Sequence, residues 1–176
     1  LVYLAPKLIG LGREMAAFGP LSQLSDALAF EFTQVDRVGA DLRNWADEDV
    51  GKPTEYWKWF GAFKDAHDRL REIGKPTLAR INGIAVGGGN ELQMACDLSV
   101  MVDSAFIRHV GLQHGSVPAG GATQWLQPMV GDRRAREIVF LCDEIPAAQA
   151  EEWGLVNRVV PEAALDAAVD EWVDKL

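Results

Sequence analysis

Glu91 stands two residues beyond three consecutive glycines, in the run Ile81-Asn82-Gly83-Ile84-Ala85-Val86-Gly87-Gly88-Gly89-Asn90-Glu91-Leu92. Aliphatic residues that read as a strand lead into the glycines, and a helical stretch follows them. Glycines let a backbone approach a ligand closely and take positive φ. A helix start leaves N–H groups without intrahelical partners. Together these features favour negative charge, either on a fixed anion or as it develops in a reaction. Three uses compete. A dinucleotide loop needs G-x-G-x-x-G, whereas these glycines are consecutive and Asn-Glu follows. A phosphate loop needs Lys-Ser or Lys-Thr after the glycines, and the sequence has neither there. The third use is an oxyanion hole beside a carboxylate, with Glu91 in the first helical turn. Its plain alternative is an acid that only stabilises the helix dipole, and spacing alone favours that alternative.

Two further loops could carry chemistry. Val38-Gly39-Ala40-Asp41-Leu42 could present one more backbone N–H, or be an ordinary turn in which Asp41 caps a helix. Residues 111–121, Gly-Leu-Gln-His-Gly-Ser-Val-Pro-Ala-Gly-Gly, form a long glycine-rich loop, a kind that is often functional in compact domains. His114 within it could be a proton shuttle, a substrate contact or a surface histidine. Ser116 lacks the G-x-S-x-G context of a hydrolase nucleophile. His109 and His114 are five apart, which is not a helical ligand spacing, and Cys96 and Cys142 make no CxxC pair. No metal is therefore expected. Both cysteines lie in apolar stretches and are expected as reduced, buried thiols.

The elements that must position these residues follow from hydrophobic spacing. The chain has 176 residues, 48% of them hydrophobic and 24% charged, enough for one globular domain with its own core. The net charge of −9 argues against nucleic acid, which needs a basic footprint. No apolar run approaches the length of a membrane span. The opening LVYLAPKLIGLG lacks the charged start and cleavage site of a signal peptide, so a cytoplasmic location is expected.

Residues 1–35 are hard to read, although Leu21, Leu24 and Leu28 would share one helical face. Residues 53–73 predict a helix, with Tyr56, Phe60, Phe63, His67, Leu70 and Ile73 in one stripe. Gly74 and Pro76 stop it, and His67 reads as a satisfied, half-buried histidine. One strand is expected over residues 77–86, a helix over 90–96 and a strand over 97–102. Helices are expected near Trp125 to Val130, over 134–141 and over 146–153. A strand follows over 155–160, and Pro161 opens a last amphipathic helix. Strands alternating with helices imply an α/β fold of layered sheets flanked by helices.

The stretch from Lys75 to Asp97, KPTLARINGIAVGGGNELQMACD, strongly resembles the signature of the crotonase (enoyl-CoA hydratase/isomerase) superfamily. Gly131 to Glu137 (GDRRARE) and Ala150 to Pro161 (AEEWGLVNRVVP) resemble its later segments, in the same order. The likeness runs from about residue 53 to the end and is poor before residue 38. It implies the crotonase-like ββα-superhelix fold, with residues 1–160 as the core domain and 161–176 as a C-terminal helix that begins the oligomerisation region. The lead-in before Gly39 looks compressed against a family of roughly 250 residues.

The resemblance also implies an activity. Backbone N–H groups of Gly88 and Ala40 would polarise a thioester carbonyl and hold the enolate that forms at Cα, and Glu91 would activate water or move a proton. Gly87, Gly111, His114 and Pro118 would contact substrate. Coenzyme A would enter as part of an acyl-CoA substrate, with no separate cofactor and with a homotrimer or homohexamer as the assembly. Arg43, Lys58 and Arg108 are candidates to hold its phosphates. Typical hydratases carry a second glutamate about twenty residues on, in a Pro-Glu step. Here that neighbourhood reads His109-Val110-Gly111-Leu112, with no acid. In this the chain is similar to the branch with dihydroxynaphthoyl-CoA synthase and 6-oxocyclohex-1-ene-1-carbonyl-CoA hydrolase. The implied function is addition of water to an unsaturated acyl-CoA. Hydrolytic ring cleavage of a cyclic oxo-acyl-CoA and a non-catalytic binding protein are the alternatives.

Overall fold

The computed structural model describes residues 2–4 and 52–176. Ala40, Arg43 and the Leu21, Leu24, Leu28 stripe lie outside the described residues. The architecture is the layered α/β arrangement expected from the alternation of elements. Strand β1 (Val2–Leu4) is followed, after the residues not described, by helix α1 (Pro53–Glu72). Strands β2 (Thr77–Ile81) and β3 (Ala85–Val86) lead into α2 (Gly88–Ala95). Next come β4 (Leu98–Val102), β5 (Phe106–Arg108) and a 3-10 turn (Gly111–His114). Helices α3 (Ala122–Val130) and α4 (Asp132–Leu141) precede β6 (Ile145–Pro146) and α5 (Ala147–Glu152). Strand β7 (Arg158–Val160), a 3-10 turn (Glu162–Ala164) and α6 (Leu165–Val173) finish the described chain.

One sheet runs β1-β2-β4-β7, with every neighbouring pair parallel. A smaller sheet runs β3-β5-β6, parallel and then antiparallel. The four-stranded sheet is covered by structure, so β2 and β4 read as near-continuous apolar runs and not as alternations. Leu78, Val100, Met101 and Val102 fill its centre. Helix α6 lays Leu165, Ala168 and Val169 into that same core. Arg80 on β2 also reaches Asp166 on α6 at 2.6 Å, an ion pair on the exposed side of that contact.

Several boundaries differ from expectation. The single strand expected over residues 77–86 is two strands in two sheets, with a corner at Asn82-Gly83-Ile84. Asn-Gly is turn chemistry inside an aliphatic run, and Ile84 is exposed at the bend. β5 was not expected, because three residues are too few to show a period. The strand expected over 155–160 begins at Arg158. Leu155 and Val156 are buried in the preceding turn, where both N–H groups bond the Ala150 carbonyl. Pro161 opens a short 3-10 turn ahead of the last helix.

Helix α1 matches its expected bounds. Pro53 occupies the start, where its missing N–H costs nothing. Gly74 follows the end at φ +72°, a left-handed value that suits glycine. No helix among the described residues is long and apolar enough to cross a membrane.

Candidate active site

The site is built where β3 hands over to α2. Gly87 takes φ +54° and ψ −120°, and its N–H donates to the Arg108 carbonyl at 2.8 Å. The chain turns there so that α2 begins at Gly88, two residues before the expected start. Gly88 and Gly89 are poor helix formers, so sequence propensity placed the start too late. The first intrahelical bond is Glu91 N–H to Gly87 carbonyl, at 3.0 Å. The N–H groups of Gly88, Gly89 and Asn90 therefore have no acceptor within the helix.

The start of α2 is pinned a second time by the next residue of the same neighbour. Asn90 is fully buried and its Nδ2 donates to His109 Nε2 at 2.8 Å. Asn90 Oδ1 accepts from Gln93 Nε2 at 2.9 Å, and Gln93 Nε2 also reaches the Leu155 carbonyl at 3.2 Å. Arg108 and His109, consecutive residues at the end of β5, thus hold Gly87 and Asn90. Burial pushes the His109 imidazole down to about 4, so it is neutral at pH 7 and free to accept through Nε2. In the sequence His109 stands out only by its distance from His114, and its spacing of nineteen from Asn90 carries no local signal.

Glu91 does not cap its own helix. Its carboxylate is 3% exposed and Oε1 accepts the N–H of Ala122, the first residue of α3, at 3.1 Å. The amides of Gly120 and Gly121 face it as well. The carboxyl therefore lies between the positive ends of two helices. Burial outweighs these hydrogen bonds and raises Glu91 to about 7. A carboxyl that titrates near neutrality can both give and take a proton at physiological pH.

The glycine-rich loop meets Glu91 at its end and not at His114. Gly111 is half-buried and its carbonyl accepts the Ser116 N–H at 2.8 Å, closing the loop on itself. His114 is exposed and Pro118 is half-buried. The sequence pointed to the loop as a whole, and the contribution of Gly120, Gly121 and Ala122 to Glu91 was missed. A glycine pair directly before a helix was the available signal. Glycine is required here by space. A Cβ on Gly120 would lie 2.6 Å from Phe63 Cε1 and 2.8 Å from Glu91 Oε2, and one on Gly121 would lie 2.3 Å from the Trp125 ring.

Helix α1 supplies the wall behind this turn. Phe63 stacks on Trp59 at 5.3 Å between ring centroids and packs edge-on to His67 at 4.4 Å. The reading of His67 as half-buried and satisfied needs correction. It is 2% exposed, and Nδ1–H donates to the Phe63 carbonyl at 2.7 Å while Nε2 has no partner. The aromatic packing of α1 against α3, by way of Trp125, carries the ring deeper than a helical stripe alone indicates. Arg108 is committed internally, with Nε donating to the Cys142 carbonyl at 2.6 Å. Cys96 and Cys142 are buried free thiols. Among the described residues no three His, Cys, Asp or Glu side chains gather as a metal site.

The chain has known relatives. Residues 34–176 match the family model described as enoyl-CoA hydratase/isomerase. Two curated relatives are named 6-oxocyclohex-1-ene-1-carbonyl-CoA hydrolase. The one from Thauera aromatica is 33% identical over 154 residues, covering 85% of this chain and 41% of its own length. The one from Geobacter metallireducens is 36% identical over 124 residues, covering 70% of this chain and 32% of its own. A crystal structure of enoyl-CoA hydratase from Bacillus anthracis superposes with TM-score 0.73 at 32% identity, over 78% of this chain and 52% of that one. The chain thus spans less than half the length of these curated relatives and about half of the hydratase.

Proposed function

The chain belongs to the enoyl-CoA hydratase/isomerase (crotonase) family, and from that premise we propose that it adds water to an unsaturated acyl-CoA thioester and opens a ring in the acyl group. The observation that carries this reading is Glu91: one buried carboxyl, raised to about 7, on the helix whose Gly88, Gly89 and Asn90 N–H groups have no intrahelical acceptor. Position 111, twenty residues beyond it, is glycine.

The chemistry asks for few groups because both steps deliver electrons to the same atom. When water adds at the β carbon, the C=C pair moves onto Cα and the thioester becomes an enolate. When a second water attacks a ring ketone bonded to Cα, that C–C bond breaks and its electron pair again goes to Cα. The ketone carbon becomes a carboxylic acid that stays on the opened chain, and Cα takes one proton after each step. One oxyanion hole can serve both enolates. Gly88 N–H is the donor proposed within α2, and Ala40 N–H the second donor. Preorganised donors of this kind stabilise charge as it develops. Glu91 takes the proton from water and returns it to Cα, a double duty suited to a group balanced near pH 7. Gly87, Gly111, His114 and Pro118 remain proposed substrate contacts on the surrounding turns.

The names of the two curated relatives support the ring-opening form. Plain hydration of a linear enoyl-CoA is the second reading, favoured by the likeness to the Bacillus anthracis hydratase. The Glu91→Gln variant tests the shared core of both. Turnover should fall about 10²- to 10⁴-fold while thioester affinity stays within a few fold. Binding without turnover in the unaltered protein would identify a binding protein instead.

A further inference from the structure

The Glu91 carboxyl has two unlike sides. Oε1 takes the Ala122 amide, whereas Oε2 lies against the space that Gly120 leaves by having no side chain. The edge of the Phe63 ring fills the other side of that space, with Cε1 and Cζ both within 2.8 Å of where a Cβ would sit. Phe63 is also held firmly. Trp59 stacks on its face, the His67 ring packs against it, and His67 Nδ1–H ties down its carbonyl.

We propose that Phe63 is a positioning residue for Glu91: its clamped ring edge, let in by Gly120, keeps water from the Oε2 side of the carboxyl. Burial on the Oε2 side of the carboxylate is thereby assigned to a side chain on α1, twenty-eight positions before the acid it serves. An apolar wall disfavours the charged form of a carboxyl, and removing the wall restores solvation. The consequence for turnover rests on the proposed role of Glu91 in moving the proton.

The test is a carbon-13 NMR titration of the Glu91 carboxyl in the full chain, assigned by its loss in Glu91→Gln. Phe63→Ser admits water and should lower the titration midpoint by about one pH unit or more. Phe63→Tyr keeps the ring that stacks on Trp59 and adds a polar phenol to its edge near the carboxyl, so it too should lower the midpoint, with less packing lost than in the serine variant. Phe63→Leu stays apolar and should leave the midpoint near that of the wild type. A purely structural role would lower thermal stability in these variants and leave the midpoint alone. Unmoved midpoints in folded Phe63→Ser or Phe63→Tyr overturn the proposal. The titration needs no substrate, so it stands apart from the thioester reading. If the midpoint moves but the pH dependence of kcat does not follow it, the positioning role holds and Glu91 is not the group that moves the proton.

Discussion

At the residue scale, Glu91 and His109 are both buried against their preferred charge state, with opposite signs. Glu91 is raised to about 7 from an ordinary 4.5, so the folded protein binds its proton more tightly than the unfolded chain does. Stability from this group is lost as pH rises through 4.5 to 7, by about 3 kcal/mol. His109 is lowered to about 4 from 6.5, so the unfolded chain binds its proton more tightly. Stability from this group is lost as pH falls through 6.5 to 4. The two slopes oppose one another between pH 4.5 and 6.5. Glu91→Gln should therefore gain stability above pH 7 and expose the acid-side slope of His109, and His109→Gln should expose the slope of Glu91. Urea unfolding across pH 4 to 8 reads both, and slopes unchanged by either substitution would contradict the assignment. The glycines before Glu91 mark it as a candidate in the sequence, and the family resemblance, not spacing alone, sets it above an acid that only stabilises its helix dipole. The contact of Glu91 with Ala122 spans thirty-one residues, and the glycine pair before α3 marks a close approach there without naming its partner.

At the scale of elements, the site is a junction of short pieces fixed by long-range bonds. β5 has three residues, yet its end and the residue after it hold both Gly87 and Asn90. Helix α3 brings its first amide to Glu91 only because Gly121 takes φ +128° and lets Trp125 pack over it. Gly121→Ala is expected to destabilise the fold by about 1–3 kcal/mol through overpacking alone, with backbone strain in addition. Thermal unfolding measures the cost, and a Tm equal to that of the wild type would show that Trp125 yields. The long amphipathic α1 was readable to within a residue because its stripe repeats over five turns. The corner between β2 and β3 was not readable. A strand that changes sheets keeps its aliphatic composition, and only Asn82-Gly83 hints at the bend.

At the scale of the whole molecule, the parallel sheet and the helices around it form a scaffold that positions the start of α2 and the Glu91 carboxyl. The alternation of strands and helices announced an α/β fold from composition and period. Three motif blocks in order announced the family, and the match over residues 34–176 bears that out. The proposed acyl group is written in neither period nor motif. Mass spectrometry of products from crotonyl-CoA, a longer enoyl-CoA and 6-oxocyclohex-1-ene-1-carbonyl-CoA tests the proposed water addition and ring opening most directly. The expected result is uptake of two waters on the cyclic substrate with a new carboxylate, abolished in Glu91→Gln. All three thioesters returned unchanged, under conditions where they bind, would contradict it.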